Sequence, residues 1–91
     1  MRRVQVIVSG RVQGVGYRYT MRMVARETGV SGWVRNLADG TVEAEIEGTP
    51  EQVDVVLAWM AEGPPGAEVT AARVRELATT GERSFAVHGD G

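Results

Sequence analysis

The stretch Val4-Gln5-Val6-Ile7-Val8-Ser9-Gly10-Arg11-Val12-Gln13-Gly14-Val15-Gly16-Tyr17-Arg18 holds two periodicities separated by glycines. Val4, Val6 and Val8 repeat at every second residue, and β-branched side chains spaced this way form a strand. Ile7, between them, makes the second face of that strand partly apolar. From Tyr17 the period changes. Tyr17, Met21, Val24 and Ala25 recur at helical spacing, with Arg22, Arg26 and Glu27 on the other side. Gly10 to Gly16 therefore join a strand to a helix, and Gly29 stands where a helix-ending glycine belongs.

Downstream the pattern repeats with one strand added. Residues 30–38 predict a second strand, and Asp39-Gly40 is a strong hairpin-turn signal. In the third strand Val42, Ala44 and Ile46 alternate with Glu43, Glu45 and Glu47, which predicts one buried face and one solvated face. Thr49-Pro50-Glu51-Gln52 carries a helix start: Thr49 at the N-cap, proline at the first helical position and Gln52 to complete a capping box. Val53, Val56, Leu57 and Met60 form that helix's apolar stripe, and Gly63-Pro64-Pro65-Gly66 stops it. A fourth strand lies within about residues 67–78. Thr80-Gly81 turns into a short last strand in which Phe85 and Val87 share a face, and Asp90-Gly91 is expected to fray.

The order is β-α-β-β-α-β with a short extra C-terminal strand. Two helices on one face of an antiparallel sheet make an α+β, ferredoxin-like split βαβ sandwich. In that topology the first two long strands run the same way, so their C-terminal ends meet at one end of the sheet. The glycine segment leaves the first strand there, and Asn36 lies near that end of the second.

With 91 residues the chain is expected to form a single domain, residues 1–91, with one modest core. The formal net charge is −2, which argues against nucleic acid or an anionic membrane as partner. All ten basic residues are Arg, so neither a Schiff-base lysine nor a Walker-type phosphate lysine is possible. The lack of Cys removes disulfides, thiolate nucleophiles and thiolate-bound metal. His88 is the one histidine, and its place near the C-terminus suits a surface or edge residue. No apolar run reaches membrane-spanning length, and the N-terminal apolar stretch is too short for a secretory signal. The expected location is the cytoplasm.

Gln13-Gly14-Val15-Gly16-Tyr17-Arg18 leads straight into a helix. Glycines let the backbone turn its N–H groups inward, and a helix N-terminus adds donors and a positive dipole end. Arg18, in the first turn, carries a planar fork that can hold two phosphate oxygens. The same residues also fit a plain turn followed by a solvated arginine. Asn36, three residues before Asp39-Gly40, likewise fits either a site or a hairpin end. Periodicity leaves both pairs of readings open. The three glutamates of the third strand suit a solvated face better than a metal site. Trp33, Trp59, Met21, Met23 and Met60 read as packing residues, and Arg22, Arg26 and Arg35 as exposed charges, with Arg35 close enough to the loop to add positive field.

Gly10-Arg11-Val12-Gln13-Gly14-Val15-Gly16-Tyr17-Arg18, followed by Gly32-Trp33-Val34-Arg35-Asn36, closely resembles the two signature stretches of the acylphosphatase family. The likeness extends to Asp39-Gly40, to Val42-Glu43 and to the order of elements. It implies a small ferredoxin-like enzyme that hydrolyses carboxyl–phosphate anhydrides without a metal. It further implies that Arg18 matches the phosphate-binding arginine and Asn36 the water-orienting asparagine. Backbone amides of Gln13, Gly14, Val15, Gly16, Tyr17 and Arg18 match the phosphate loop.

The residue chemistry agrees. Near this end of the sheet there is no second acid, thiol or histidine to protonate a leaving alkoxide, a contribution of about 10²–10⁴-fold where present. A carboxylate leaving group, with a pKa of about 4, needs no such donor. The expected substrate is a small-molecule acyl phosphate, with no cofactor, no metal, no nucleic-acid or membrane partner, and a monomeric chain. Two rivals from other classes are an RNA-binding module and a regulatory domain that binds an anion without turnover. Two Trp, two Tyr and one Phe, with a glutamate-rich strand, speak against RNA.

Overall fold

The alternation of Val4, Val6 and Val8 becomes β1 (Arg2–Arg11), and the change of period at Tyr17 becomes α1 (Tyr17–Thr28). These elements come from a computed structural model, which describes residues 1–89; the Asp90-Gly91 end lies outside the described residues. The chain continues through β2 (Ser31–Asn36), β3 (Val42–Gly48), α2 (Pro50–Glu62), β4 (Glu68–Leu77) and β5 (Phe85–Val87). The five strands form one sheet in the order β4-β1-β3-β2-β5. The four long strands are antiparallel to their neighbours, as in the ferredoxin-like fold. The short β5 adds parallel to β2, pairing Gly32 with Phe85 and Val34 with Val87, so the complete sheet is mixed.

Both helices pack on one face. Val4, Val6 and Val8 lie opposite Ile46, Ala44 and Val42, and Val34 lies opposite Ala44; all seven are fully buried. Tyr17, Met21 and Ala25 of α1 and Val53, Val56 and Met60 of α2 close over them. Each such Val or Met is worth about 1.5–3 kcal/mol of transfer free energy. The Tyr17 hydroxyl, inside this core, donates to the Met60 carbonyl at 2.7 Å and so joins the two helices. Burial raises its pKa far above the ordinary phenol value. Met23, read as a packing residue, is instead 62% exposed, because it sits two positions from Met21 and faces away from the sheet.

Local chemistry sets the element ends. Gly29 ends α1 in the left-handed conformation, its N–H donating to the Ala25 carbonyl at 2.8 Å. The capping box of α2 forms as expected: Gln52 N donates to the Thr49 hydroxyl, and Thr49 N donates to the Gln52 side-chain oxygen. The Gln52 amide also donates to the Thr28 carbonyl at 3.1 Å, tying the start of α2 to the end of α1. β2 is shorter than the expected 30–38. It ends at Asn36, because Leu37 N already turns back to the Thr41 carbonyl at 2.9 Å and Gly40 N to the Leu37 carbonyl at 3.2 Å.

The helix-free face departs from expectation. Glu43 and Glu47 are buried and Glu45 is half-buried. The cause is Arg3, 2% exposed, whose guanidinium donates to Glu45, Glu47, Thr80 and Glu82 at 2.8–3.1 Å. Glu47 also accepts from Thr80 N at 2.8 Å and Gly81 N at 3.0 Å. The turn between β4 and β5 is thereby drawn across the glutamates. Gln5 and Arg35 cover Glu43 from either side at 2.6 and 2.8 Å. An alternating pattern distinguishes polar from apolar faces, but not water from a polar partner.

Candidate active site

The loop from Val12 to Gly16 turns because two of its residues are glycines in the left-handed region, Gly14 at φ +75° and Gly16 at φ +77°. Left-handed residues alternating with ordinary ones gather backbone N–H groups into a concavity that suits an anion. Gly16 is the N-cap of α1, so no side chain caps the helix there, and its first turn contains no acidic residue to compete for an anion. The first helical bond is Thr20 N to the Gly16 carbonyl at 3.0 Å.

The loop is fixed from outside by Gln13. Its side-chain amide donates to the carbonyls of Leu37 at 2.8 Å and Thr41 at 2.9 Å. The loop after β1 is thus clamped to the turn after β2, which keeps Asn36, the last residue of β2, beside it. A cavity of about 150 Å³ opens between them, lined by Gly14, Gly16, Arg18, Tyr19 and Asn36, with Val12 and Tyr17 behind. Gln13 and Val15, expected as part of the loop, lie outside this lining.

Arg18 reaches the cavity from the first turn of α1, and its Nη1 donates to the His88 carbonyl at 2.7 Å. His88 follows β5, and its own N–H donates to the Val34 carbonyl at 2.9 Å. The parallel strand therefore brings a backbone acceptor to the arginine. The His88 ring lies away from the cavity, stacked on Trp33 with centroids 5.5 Å apart. Arg35, expected to add positive field to the loop, is instead engaged by an acidic partner. It is on the helix-free face, where Glu43 accepts from its Nη2 at 2.6 Å and its guanidinium lies 5.3 Å from the Trp33 ring centre. Asn36, one residue later, is on the opposite face, in register with buried Val42.

Three contributors escape sequence reading. The His88 carbonyl is a main-chain group and leaves no sequence signal. The Gln13 side chain acts across a turn whose packing no local pattern encodes. Tyr19 lines the cavity only because the helix begins at Tyr17, and its position directly after Arg18 was the available signal. Among the described residues, no group of three or more His, Asp or Glu gathers to hold a metal ion, and no helix is long and apolar enough to cross a membrane.

Fold and site together define a ferredoxin-like domain with a glycine-shaped cavity, lined by Arg18 and Asn36, at one end of its sheet. The sequence matches the acylphosphatase family over residues 4–87, and the chain belongs to that family. It is 56% identical over 91 residues to the acylphosphatase of Methylococcus capsulatus, covering 99% of each chain. The acylphosphatase of Thermococcus kodakarensis is 51% identical over 87 residues, covering 96% of each. The crystal structure of acylphosphatase from Bacillus subtilis superposes with a TM-score of 0.94 at 36% identity, covering 97% of this chain and 99% of that one. Family membership supports an enzyme that hydrolyses an acyl phosphate.

Proposed function

We propose that this chain hydrolyses acyl phosphates to a carboxylate and inorganic phosphate by direct attack of water on phosphorus. Arg18 and the backbone amides of residues 13–18 hold the phosphoryl group, and Asn36 orients the water. The observation that carries this reading is that Arg18 and Asn36, on different elements, line one cavity with Gly14 and Gly16.

The chemistry follows from charge and geometry. In-line displacement at phosphorus spreads negative charge over three equatorial oxygens, so fixed donors aimed at those oxygens lower the barrier. The guanidinium fork supplies two donors and a full charge, and the loop amides supply the rest. The Asn36 amide is neutral, so it positions water without removing a proton. The bond between phosphorus and the bridging oxygen breaks as the water oxygen bonds to phosphorus, and the acyl group leaves as carboxylate. Its pKa of about 4 makes a proton donor unnecessary, which fits a cavity with no carboxyl or imidazole group among its lining side chains. The reaction is metal-independent and needs no cofactor. One domain, residues 1–91, acts as a cytoplasmic monomer with no nucleic-acid or membrane partner.

Turnover of benzoyl phosphate by the purified chain in the presence of a chelator tests this. Activity is expected to be unchanged by the chelator. Arg18→Ala is expected to lower kcat about 10³-fold or more, as loss of a transition-state charge clamp does. Asn36→Ala is expected to lower kcat strongly while phosphate still binds. Chelator-sensitive activity or an active Arg18→Ala variant overturns the mechanism. Tight phosphate binding with no turnover favours a regulatory anion-binding domain.

A further inference from the structure

The cavity of about 150 Å³ is smaller than the roughly 300–1,000 Å³ of sites that enclose a whole small-molecule ligand. A phosphoryl group and its attacking water fill such a space, so the acyl part of the substrate lies at the mouth. The surface there is set by α1. Tyr19 directly follows Arg18, lines the cavity and is 64% exposed. Met23, four residues on and therefore on the same stripe of the helix, is 62% exposed. Among the described residues, the other exposed large apolar side chains are Met1, which precedes β1, Val55 on α2 and Val74 on β4, and none lines this cavity. Two adjacent apolar side chains, one of them in the cavity wall, are thus left in water at the edge of an anion cradle. Among the described residues, no hydrogen bond or ring contact engages the Tyr19 ring.

We propose that Tyr19 and Met23 form the acyl subsite and set a preference for acyl phosphates with an aromatic or extended apolar acyl group. The inference rests on the hydrolysis proposed above and adds to it the part of the substrate that the cradle leaves undetermined. A phenol ring accepts another ring edge-to-face or offset, and a flexible thioether adapts to the remaining edge. An acetyl group presents one methyl and gains little from either. The contact lies away from the reacting phosphorus, so it strengthens ground state and transition state alike and acts on KM rather than kcat.

Steady-state kinetics with benzoyl phosphate and acetyl phosphate test the subsite. The wild-type chain is expected to show the higher kcat/KM for benzoyl phosphate. Tyr19→Ala is expected to lower the benzoyl-to-acetyl ratio of kcat/KM by about three- to tenfold, the size of one aromatic contact, through KM. Met23→Ala lowers it less, Tyr19→Phe retains it, and Val55→Ala on α2 leaves it unchanged. A ratio that stays constant in Tyr19→Ala, including one in which both substrates weaken equally, overturns the subsite while leaving the hydrolase reading intact. A wild-type chain that turns over neither substrate overturns both.

Discussion

At Arg18 the geometry of the charge matters as well as its sign. The guanidinium, which donates through Nη1 to the His88 carbonyl at 2.7 Å, is a rigid planar fork with paired donors, and a lysine ammonium is a point charge without them. Arg18→Lys is therefore expected to recover only a minor part of the activity lost in Arg18→Ala, which a comparison of kcat for the two variants checks. The glycines differ from one another in what they permit. A Cβ at Gly16 meets nothing within 4 Å, so Gly16→Ala carries only the cost of a left-handed backbone, about 1–2 kcal/mol. A Cβ at Gly32, at φ +133°, would stand 1.9 Å from the Glu45 carbonyl oxygen, inside the β2–β3 pairing. Urea denaturation should find Gly16→Ala folded with weakened phosphate binding, and Gly32→Ala unfolded or nearly so. Comparable stabilities would contradict this.

Among the elements, α2 is the one whose stability separates from activity. Its capping box satisfies the Gln52 N–H with the Thr49 hydroxyl at 3.2 Å, far from the cavity lining. Thr49→Ala is expected to cost about 1 kcal/mol, seen as a lower urea midpoint, with kcat and KM unchanged. The loop before α1 behaves the opposite way. Gln13 holds it against the β2–β3 turn through two hydrogen bonds that contribute nothing to the core. Gln13→Ala should leave the urea midpoint almost unchanged and raise KM, since a loosened cradle loses preorganised donors. A stability loss without a change in KM would show that these bonds serve only the fold.

For the molecule as a whole, the helix-free face behaves as a charge lattice centred on Arg3. Glu47 titrates below its ordinary value of 4.5, because Thr80 and Gly81 amides and the Arg3 guanidinium favour the charged form over the opposing effect of burial. Hydrogen bonds from the Thr41 hydroxyl and N–H hold Asp39 low, and Arg2 does the same for Glu76. A carboxyl with a depressed folded-state pKa adds stability above its unfolded pKa and loses it as pH falls through the folded value. The urea midpoint should therefore be level from neutral pH down to about 5 and fall in more acidic solution. Glu47→Gln should start lower at neutral pH and lose less on acidification. An unchanged acid slope in that variant would remove Glu47 from the account. Arg3→Ala leaves buried carboxylates without their partner and should lower the melting temperature more than Arg26→Ala, whose side chain is exposed.

The amino-acid order alone determined the succession of elements, the capping box at Thr49, the glycine stop at Gly29 and the glycine loop that leads from β1 into α1. Each depends on residues within a turn or two of one another, where spacing and backbone preference suffice. It also carried the family likeness, because the two signature stretches are contiguous. Only the tertiary structure decided what depends on distant partners. β5 adds parallel to β2 and brings the His88 carbonyl to Arg18. Arg3, with the turn at Thr80, buries the glutamates that alternation had assigned to water. Arg35 turns to Glu43 and away from the site, because strand pleating sends it to the face opposite Asn36. A polar side chain's surroundings are set by whichever segment packs against it, and local sequence does not encode that choice.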